Sequence, residues 1–409
     1  MSASGVRTAD RPAELPNLLP RAYSVDDFVE DTAAFCFQLA SYFTDPACRS
    51  HELYRRIDVV DALNPAADAL VNLARKVVLF VGVLLCASLA VFTTLPGIGL
   101  RLFGSWIQKS PFIYVQGELD SKILPQDRIF SLLSWNICCV GGGYSISDGG
   151  VEHWSFRIDE IIDKIVARDA DVNCLYETFD FSSATYITEK LKERGYNHFY
   201  FNIGPKAVGV SSGILIASKY RLSSPEFTQF PQETLVGRTK NAAKGVFSFD
   251  VESQGKSFAK IHATHLQHSE APSFPTDEEV KGRLAQMLIV KAKAEAVRDR
   301  CVVATGDLNL NDEEYARSSW ASDFVKPVRV SDKKTWGGDK FCAELMGKQV
   351  SGPLNLDHTI ICDNEWAQDA ARSGVLLFNA SLVETGYDPE VFKKGVLSDH
   401  EGLFTTIRV

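Results

Sequence analysis

Residues 301–312 read CVVATGDLNLND, a run of small and β-branched side chains that gives way to Asp307 and Asn309. Residues of this kind suit a buried strand, and in a strand residues i and i+2 point to the same face. A carboxylate and a carboxamide therefore leave the strand side by side. The same pair also makes an Asx turn that does no more than end a strand, so the neighbouring segments have to decide between the two readings.

Outward from this stretch the pattern repeats. IFSLLSWNI (129–137), VNCLYE (172–177), GILIASK (213–219), GVFSFDV (245–251), FAKIHATHL (258–266), LNLDHTIIC (354–362) and GLFTTIRV (402–409) read as strands. Between the first two, Ile158, Ile161, Ile162, Ile165 and Val166 fall at helical spacing. Strands in this number, alternating with amphipathic helices, predict a layered α/β domain with two sheets. Polar residues interrupt the strands at their ends: Asn136, Glu177, His265, Asp307 with Asn309, and Asp399 with His400. All are types that bind a hard cation or move protons. Singly, each has a plain structural explanation as a turn former, rim carboxylate or core histidine; together they predict a site.

The composition, 45% hydrophobic and 23% charged over 409 residues, is that of a globular protein. A net charge of -9 argues against a broad phosphate-binding surface and so against nucleic acid as a partner. The basic cluster in view is Arg238, Lys240 and Lys244, with Lys244 in AAKGV a candidate contact for an anionic substrate. Nine cysteines show no CxxC pair or zinc spacing, which predicts buried thiols rather than a disulfide framework and leaves the redox compartment open. A lone glycine run, VGGGY (140–144), offers backbone N–H groups to a phosphate or simply a turn.

The amino-terminal region differs in character. Residues 1–20 hold no apolar core of a signal peptide. An amphipathic helix starts at Ser24 and is expected to stop at Thr44-Asp45-Pro46. Asn64-Pro65 signals a second helix, which enters VVLFVGVLLCASLAVFTTL (77–95), a stretch without charge and long enough for the roughly 20 residues that cross a bilayer. PGIG (96–99) is expected to end it, with Arg101 and Trp106 as interface anchors. The expected organisation is a helical region (1–76), a hydrophobic membrane segment (77–107), a linker (108–127) and a catalytic domain (128–409). Flanking charges leave a crossing and a re-entrant hairpin both open, and the side of the membrane undetermined.

The ordered set SWNI, LYE, SSGILIASK, THLQ, GDLN, LDH and LSDH closely resembles the endonuclease/exonuclease/phosphatase superfamily of Mg²⁺-dependent phosphoesterases, from about residue 128 to 409. The resemblance implies a four-layered α/β sandwich of two mixed β-sheets flanked by helices. It implies Glu177 as principal Mg²⁺ ligand, with Asn136 and Asp399 also at the metal. It also implies His400 as general base, oriented by Asp357, with His265 and Asn309 on the phosphate and Asp307 orienting water or leaving group. His153, His262, His268 and His358 receive no role from it.

Within that superfamily, THLQHSE followed by RLAQ (283–286), with AAKGV and LSDHEGL, is most similar to the neutral sphingomyelinases, a phospholipase C-type branch. That likeness implies hydrolysis of a membrane phospholipid, sphingomyelin to ceramide and phosphocholine, at a lipid bilayer; it names no protein partner. A nuclease, an inositol-phosphate phosphatase and a catalytically silent membrane-tethered binding module remain as alternatives.

Overall fold

The computed structural model describes residues 25–63, 67–140, 151, 153–204, 210–269, 271–329, 332–337, 352–373, 378–383 and 397–409. The amino-terminal twenty residues, the Asn64-Pro65 signal, Cys342 and all but the first residue of the VGGGY loop lie outside these.

The chain opens with two long helices, α1 (Val25–Leu63) and α2 (Ala69–Ile107). Strands follow as β1 (Ile113–Gln116), β2 (Ile129–Asn136), β3 (Val172–Tyr176), β4 (His198–Phe201), β5 (Leu215–Ser218), β6 (Arg221–Gln229), β7 (Gly245–Ser253), β8 (Lys256–His265), β9 (Cys301–Asp307), β10 (Phe324–Val325), β11 (Val328–Arg329), β12 (Asp357–Cys362), β13 (Phe378–Val383) and β14 (Gly402–Arg408). The intervening helices used below are α3 (Ile158–Arg168), α4 (Phe181–Lys192), α5 (Asp277–Glu295), α6 (Asp312–Arg317) and α7 (Trp320–Asp323).

Two mixed sheets result, an eight-stranded one in the order β1-β4-β5-β3-β2-β14-β13-β11 and a six-stranded one in the order β10-β12-β9-β8-β7-β6. Each has one parallel pair at its centre, β2 with β3 and β8 with β9. Strands buried on both faces need apolar residues at successive positions, which is why β3 and β9 read as continuous runs. The inner layer packs Phe130, Leu132 and Tyr176 against Phe247, Ile261 and Val303. Outside the larger sheet, Ile161 and Ile165 of α3 and Ile187 and Leu191 of α4 cover Trp135, Leu175 and Leu215. Outside the smaller one, Met287 and Val290 of α5 and Trp320 of α7 cover Val246, Val302 and Ile360. This is the expected four-layered sandwich.

Three local expectations are corrected. Pro46 and Pro96 lie inside α1 and α2, so neither TDP nor PGIG ends a helix. A proline within a helix costs about 3 kcal/mol, and here the packing of the two helices against each other outweighs it. A Cβ on Gly97 would sit 3.0 Å from Phe43 and 3.2 Å from the Ala40 carbonyl, and one on Gly104 would sit 3.1 Å from Cys36; the small residues of α2 are what let α1 approach. The third correction concerns the linker: β1, within 108–127, pairs antiparallel with β4, so the sandwich begins before residue 128.

Among the described residues eight cysteines are free thiols, six of them buried, and Cys138 and Cys139 are not joined.

Candidate active site

Parallel strands bring their carboxyl ends to the same edge of a sheet, and both central pairs do so here. In the larger sheet Asn136, the last residue of β2, is registered with Tyr176, so Asn136 and Glu177 exit together. In the smaller sheet His265 of β8 faces Asp307 of β9, and antiparallel β12 begins at the same level, Asp357 being registered with Asp307. His400 precedes β14, which runs antiparallel to β2. Six residues widely spaced in sequence thus gather at one end of the sandwich.

Asp307 is the hub. Its Oδ2 accepts from Asn136 Nδ2 at 3.0 Å and lies 3.4 Å from His265 Nε2 and 3.6 Å from His400 Nε2. Its Oδ1 accepts the Asn309 N–H at 3.0 Å. The pair makes the Asx turn that ends β9, with a left-handed backbone at Asn309 (φ 52°) and the Asn309 amide toward the Leu266 carbonyl at 3.5 Å, while Asp307 Oδ2 reaches into the site. Glu177 is also left-handed (φ 61°). Backbone strain of this kind costs on the order of 1–3 kcal/mol and collects at functional sites.

His400 Nδ1 meets Asp357 Oδ2 at 2.7 Å. Thr335 Oγ1 accepts the Asp357 N–H at 3.1 Å, while Ser398 Oγ accepts the His400 N–H at 3.2 Å and donates to the Asn136 carbonyl at 2.6 Å. His265 Nε2 stands 3.9 Å from Glu177 Oε1. Both ring nitrogens of His265 are buried and make no hydrogen bond among the described residues, as is the case for Asp357 Oδ1.

Charge in the pocket is strongly perturbed. Burial, with Asp399 nearby, raises the Glu177 carboxyl to about 7. Burial likewise raises Asp357 to about 6, against the pull of His400. Burial opposes the charged form of His400, but Asp357, Asp307 and Asp399 outweigh it and lift the imidazole well above its ordinary value. Burial, reinforced by Lys244 and His400, holds His265 well below it, in the neutral form. Lys244 is buried, donates to the Leu266 carbonyl at 3.0 Å, and is lowered to about 7 by burial despite Glu177 and Asp307.

This donor set fits a divalent cation. Glu177, His265 and Asp307 offer ligand atoms within 4.8 Å of one another, as do Asp307, Asp357 and His400. Glu177, a carboxyl raised by burial and by Asp399, and the imidazole of His265, without a hydrogen bond among the described residues, present ligand atoms to a divalent cation. Asp399 stands outside both clusters, accepting from Trp336 Nε1 at 3.3 Å, and Asn136 spends its amide on Asp307 and on the Cys138 N–H.

Four further histidines have structural contacts: His262 with Ser248, His153 with Ser155, His268 with Thr239, and His358 with the Leu310 carbonyl. The Arg-x-x-Gln of α5 is structural too, Gln286 accepting the Gln267 N–H at 2.8 Å and Arg283 pairing with Glu314 at 2.6 Å beneath the turn after His265.

Sequence reasoning missed Arg157. Its buried guanidinium donates to the carbonyls of Ile137, Cys138 and Leu397, tying the segment after Asn136 to the loop that carries His400. The only signal was an arginine at the start of an apolar helix face.

Among solved structures, beta toxin from Staphylococcus aureus is 16% identical with a TM-score of 0.53, covering 68% of this chain and 99% of its own. Sphingomyelinase C from Streptomyces griseocarneus is 17% identical with a TM-score of 0.52, covering 68% and 99%. A further beta toxin structure, a mutant with bound magnesium ions, is 18% identical at 0.52, covering 67% and 98%. At these identities the likeness is one of fold. Residues 133–400 match the model of the Endonuclease/Exonuclease/phosphatase family, which takes in the smaller sheet, most of the larger one and the gathered site; the chain belongs to that family.

Proposed function

We propose that the protein is a Mg²⁺-dependent phosphodiesterase acting on a membrane phospholipid, cleaving sphingomyelin to ceramide and phosphocholine. The observation that carries this reading is the meeting of the His400–Asp357 pair with Glu177, Asp307 and His265 in one acidic pocket. Sphingomyelinase-type structures share the fold, and α2 provides an apolar helix long enough to anchor the chain at its substrate through residues 77–107.

Glu177 and Asp307 would hold Mg²⁺, which when bound offsets charge on the nonbridging phosphate oxygens and the departing alkoxide. With Nδ1 committed to Asp357, His400 has Nε2 available to take a proton from the attacking water. Asp357 fixes that tautomer and stabilises the imidazolium. Neutral His265 donates to a phosphoryl oxygen or to the leaving oxygen, and Asn309 holds the phosphate. Lys244, beneath the site, adds positive potential when protonated. Water oxygen joins phosphorus, the ceramide C–O–P linkage breaks on the phosphorus side, and the ceramide oxygen takes up a proton.

Tethering concentrates a lipid substrate beside the site without new contacts, and a zwitterionic headgroup asks for one phosphate clamp in a chain of net charge -9. The test is phosphocholine release from sphingomyelin vesicles with Mg²⁺, expected to vanish with chelator and in Glu177→Ala, alongside little nicking of plasmid DNA. Efficient plasmid nicking or phosphate release from inositol phosphates, with sphingomyelin left intact, would overturn the lipid assignment and leave the family chemistry standing.

A further inference from the structure

The two long helices run antiparallel in register. Gly104 abuts Ala33 and Cys36, and Gly97 abuts Ala40 and Phe43. Further along, Ser50 Oγ donates to the Val83 carbonyl at 3.4 Å, and Lys76 pairs with Asp61 at 2.6 Å. The uncharged run 77–95 of α2 therefore lies beside the turns of α1 around residues 49–53.

Those α1 turns are held by the catalytic sandwich. Arg49 Nη2 donates to Ser155 Oγ at 3.3 Å, and the guanidinium groups of Arg49 and Arg56 stand 6.0 and 5.5 Å from the Phe156 ring. Towards the other end of α1, Phe37 packs on Phe181 at 5.9 Å, Ser41 donates to Asp180 at 3.3 Å, and Glu30 accepts the Lys109 and Ser110 N–H groups at 2.9 Å each. From Phe37 to Arg56 the contact extends along about 29 Å of helix at about 1.5 Å per residue. That is close to the full thickness of the hydrocarbon core, about 30 Å. A bilayer crossed by 77–95 would have to hold Arg49, Arg56 and Ser155 at the depth of the lipid tails, where charged groups are costly.

Among the described residues, the opposite side of α2 makes no such contact. Val78, Leu85, Phe92 and Trp106, spaced by multiples of seven and so on one side of the helix, are 71%, 68%, 77% and 78% exposed. The most apolar window of α2 has no residue buried in the protein. An indole at one end of such a face suits the headgroup level.

We infer that α2 lies in the plane of the membrane surface, with its Val78–Leu85–Phe92–Trp106 face sunk among lipid acyl chains and α1 between it and the sandwich, so that the chain does not cross the bilayer. This rests on the proposed membrane setting and sharpens it: the α1–α2 turn and the catalytic domain share one side, and the start of α4, four residues after Glu177, is held by α1 close to the lipid.

The test uses the full chain in microsomes from expressing cells, with one epitope inserted after Pro65 and another after Val409. Lying in the plane, both epitopes show the same protease sensitivity before detergent is added. Opposite sensitivity, one cleaved and one protected, would overturn the in-plane arrangement while leaving the lipid reading intact. Protein absent from the membrane pellet would remove both. As a second arm, Val78→Glu/Leu85→Glu/Phe92→Glu should lower the vesicle-bound fraction about tenfold or more, with hydrolysis of detergent-dispersed sphingomyelin unchanged. Unchanged membrane binding together with loss of a dimer would assign the face to a second copy of the chain and overturn the inference.

Discussion

His400 and Asp357 stand 43 residues apart in sequence and 2.7 Å apart in space, joined through His400 Nδ1. The bond leaves a single ring nitrogen for chemistry, and it is the one that faces Asp307. Two strands from different sheets meet in that contact, β12 through its first residue and β14 through the turn before it.

His400→Ala should lower turnover by about two to four orders of magnitude, the usual worth of a general base, with the unfolding midpoint nearly unchanged. Asp357→Asn should fall in the same direction. Near-normal phosphocholine release by His400→Ala would remove the base assignment.

Stability and cation binding should be linked to pH through Glu177. Its carboxyl is raised from 4.5 to about 7, so the folded chain holds this proton more tightly than the unfolded one. In cation-free protein that contribution is present below about pH 4.5 and is lost as pH rises through about 7. Lys244, lowered from 10.5 to about 7, acts oppositely, costing stability in acid and recovering it between about 7 and 10.5. Below pH 7 a cation must displace the Glu177 proton and meets a protonated Lys244. Added Mg²⁺ should therefore raise the melting temperature more at pH 8 than at pH 6 in a thermal-shift series; an equal shift at both would contradict the placement of the cation at Glu177.

Gly306→Ala should fail to fold or lose about 3 kcal/mol or more. Its Cβ would fall 1.7 Å from the Thr264 carbonyl, and the backbone there has φ 155°, a region that side chains avoid. Because Gly306 precedes Asp307, any folded fraction should also lose activity out of proportion to its stability, read as turnover per folded molecule.

Arg157→Met should destabilise on the order of 2–5 kcal/mol, since it leaves the buried carbonyls of Ile137, Cys138 and Leu397 without this donor. Turnover should fall even where circular dichroism shows a folded chain, because the segment after Asn136 and the His400 loop are no longer tied. Wild-type turnover in the folded variant would confine Arg157 to a structural role.

What the sequence revealed follows from locality. Strand periodicity and a polar residue at each strand end are local signals, so Asn136, Glu177, His265, Asp307 and His400 were legible as a set. Arg157 was not, because its partners are carbonyls up to 240 residues away, and a carbonyl has no sequence signature. The stop signals at Pro46 and Pro96 misled for the opposite reason: a proline states a local penalty, and only the neighbouring helix, held close by Gly97 and Gly104, shows that the penalty is overcome. β1 was read as linker because a short edge strand only half-buried on alternate residues carries too little pattern to stand out.

The division of the site between two sheets has a mechanical consequence. Glu177 and Asn136 ride on one sheet, His265, Asp307 and Asp357 on the other, and the layers are pinned near the site by the Asn136–Asp307 contact at 3.0 Å and the Tyr176 hydroxyl on the Thr305 carbonyl at 3.0 Å. A slight slide of one layer over the other leaves each sheet's own ladder intact but alters every distance that spans the pocket. The catalytic rate is thus a strain gauge for the spacing of the sandwich, and overfilling at an interior position such as Val303 would register there as well as in the melting curve.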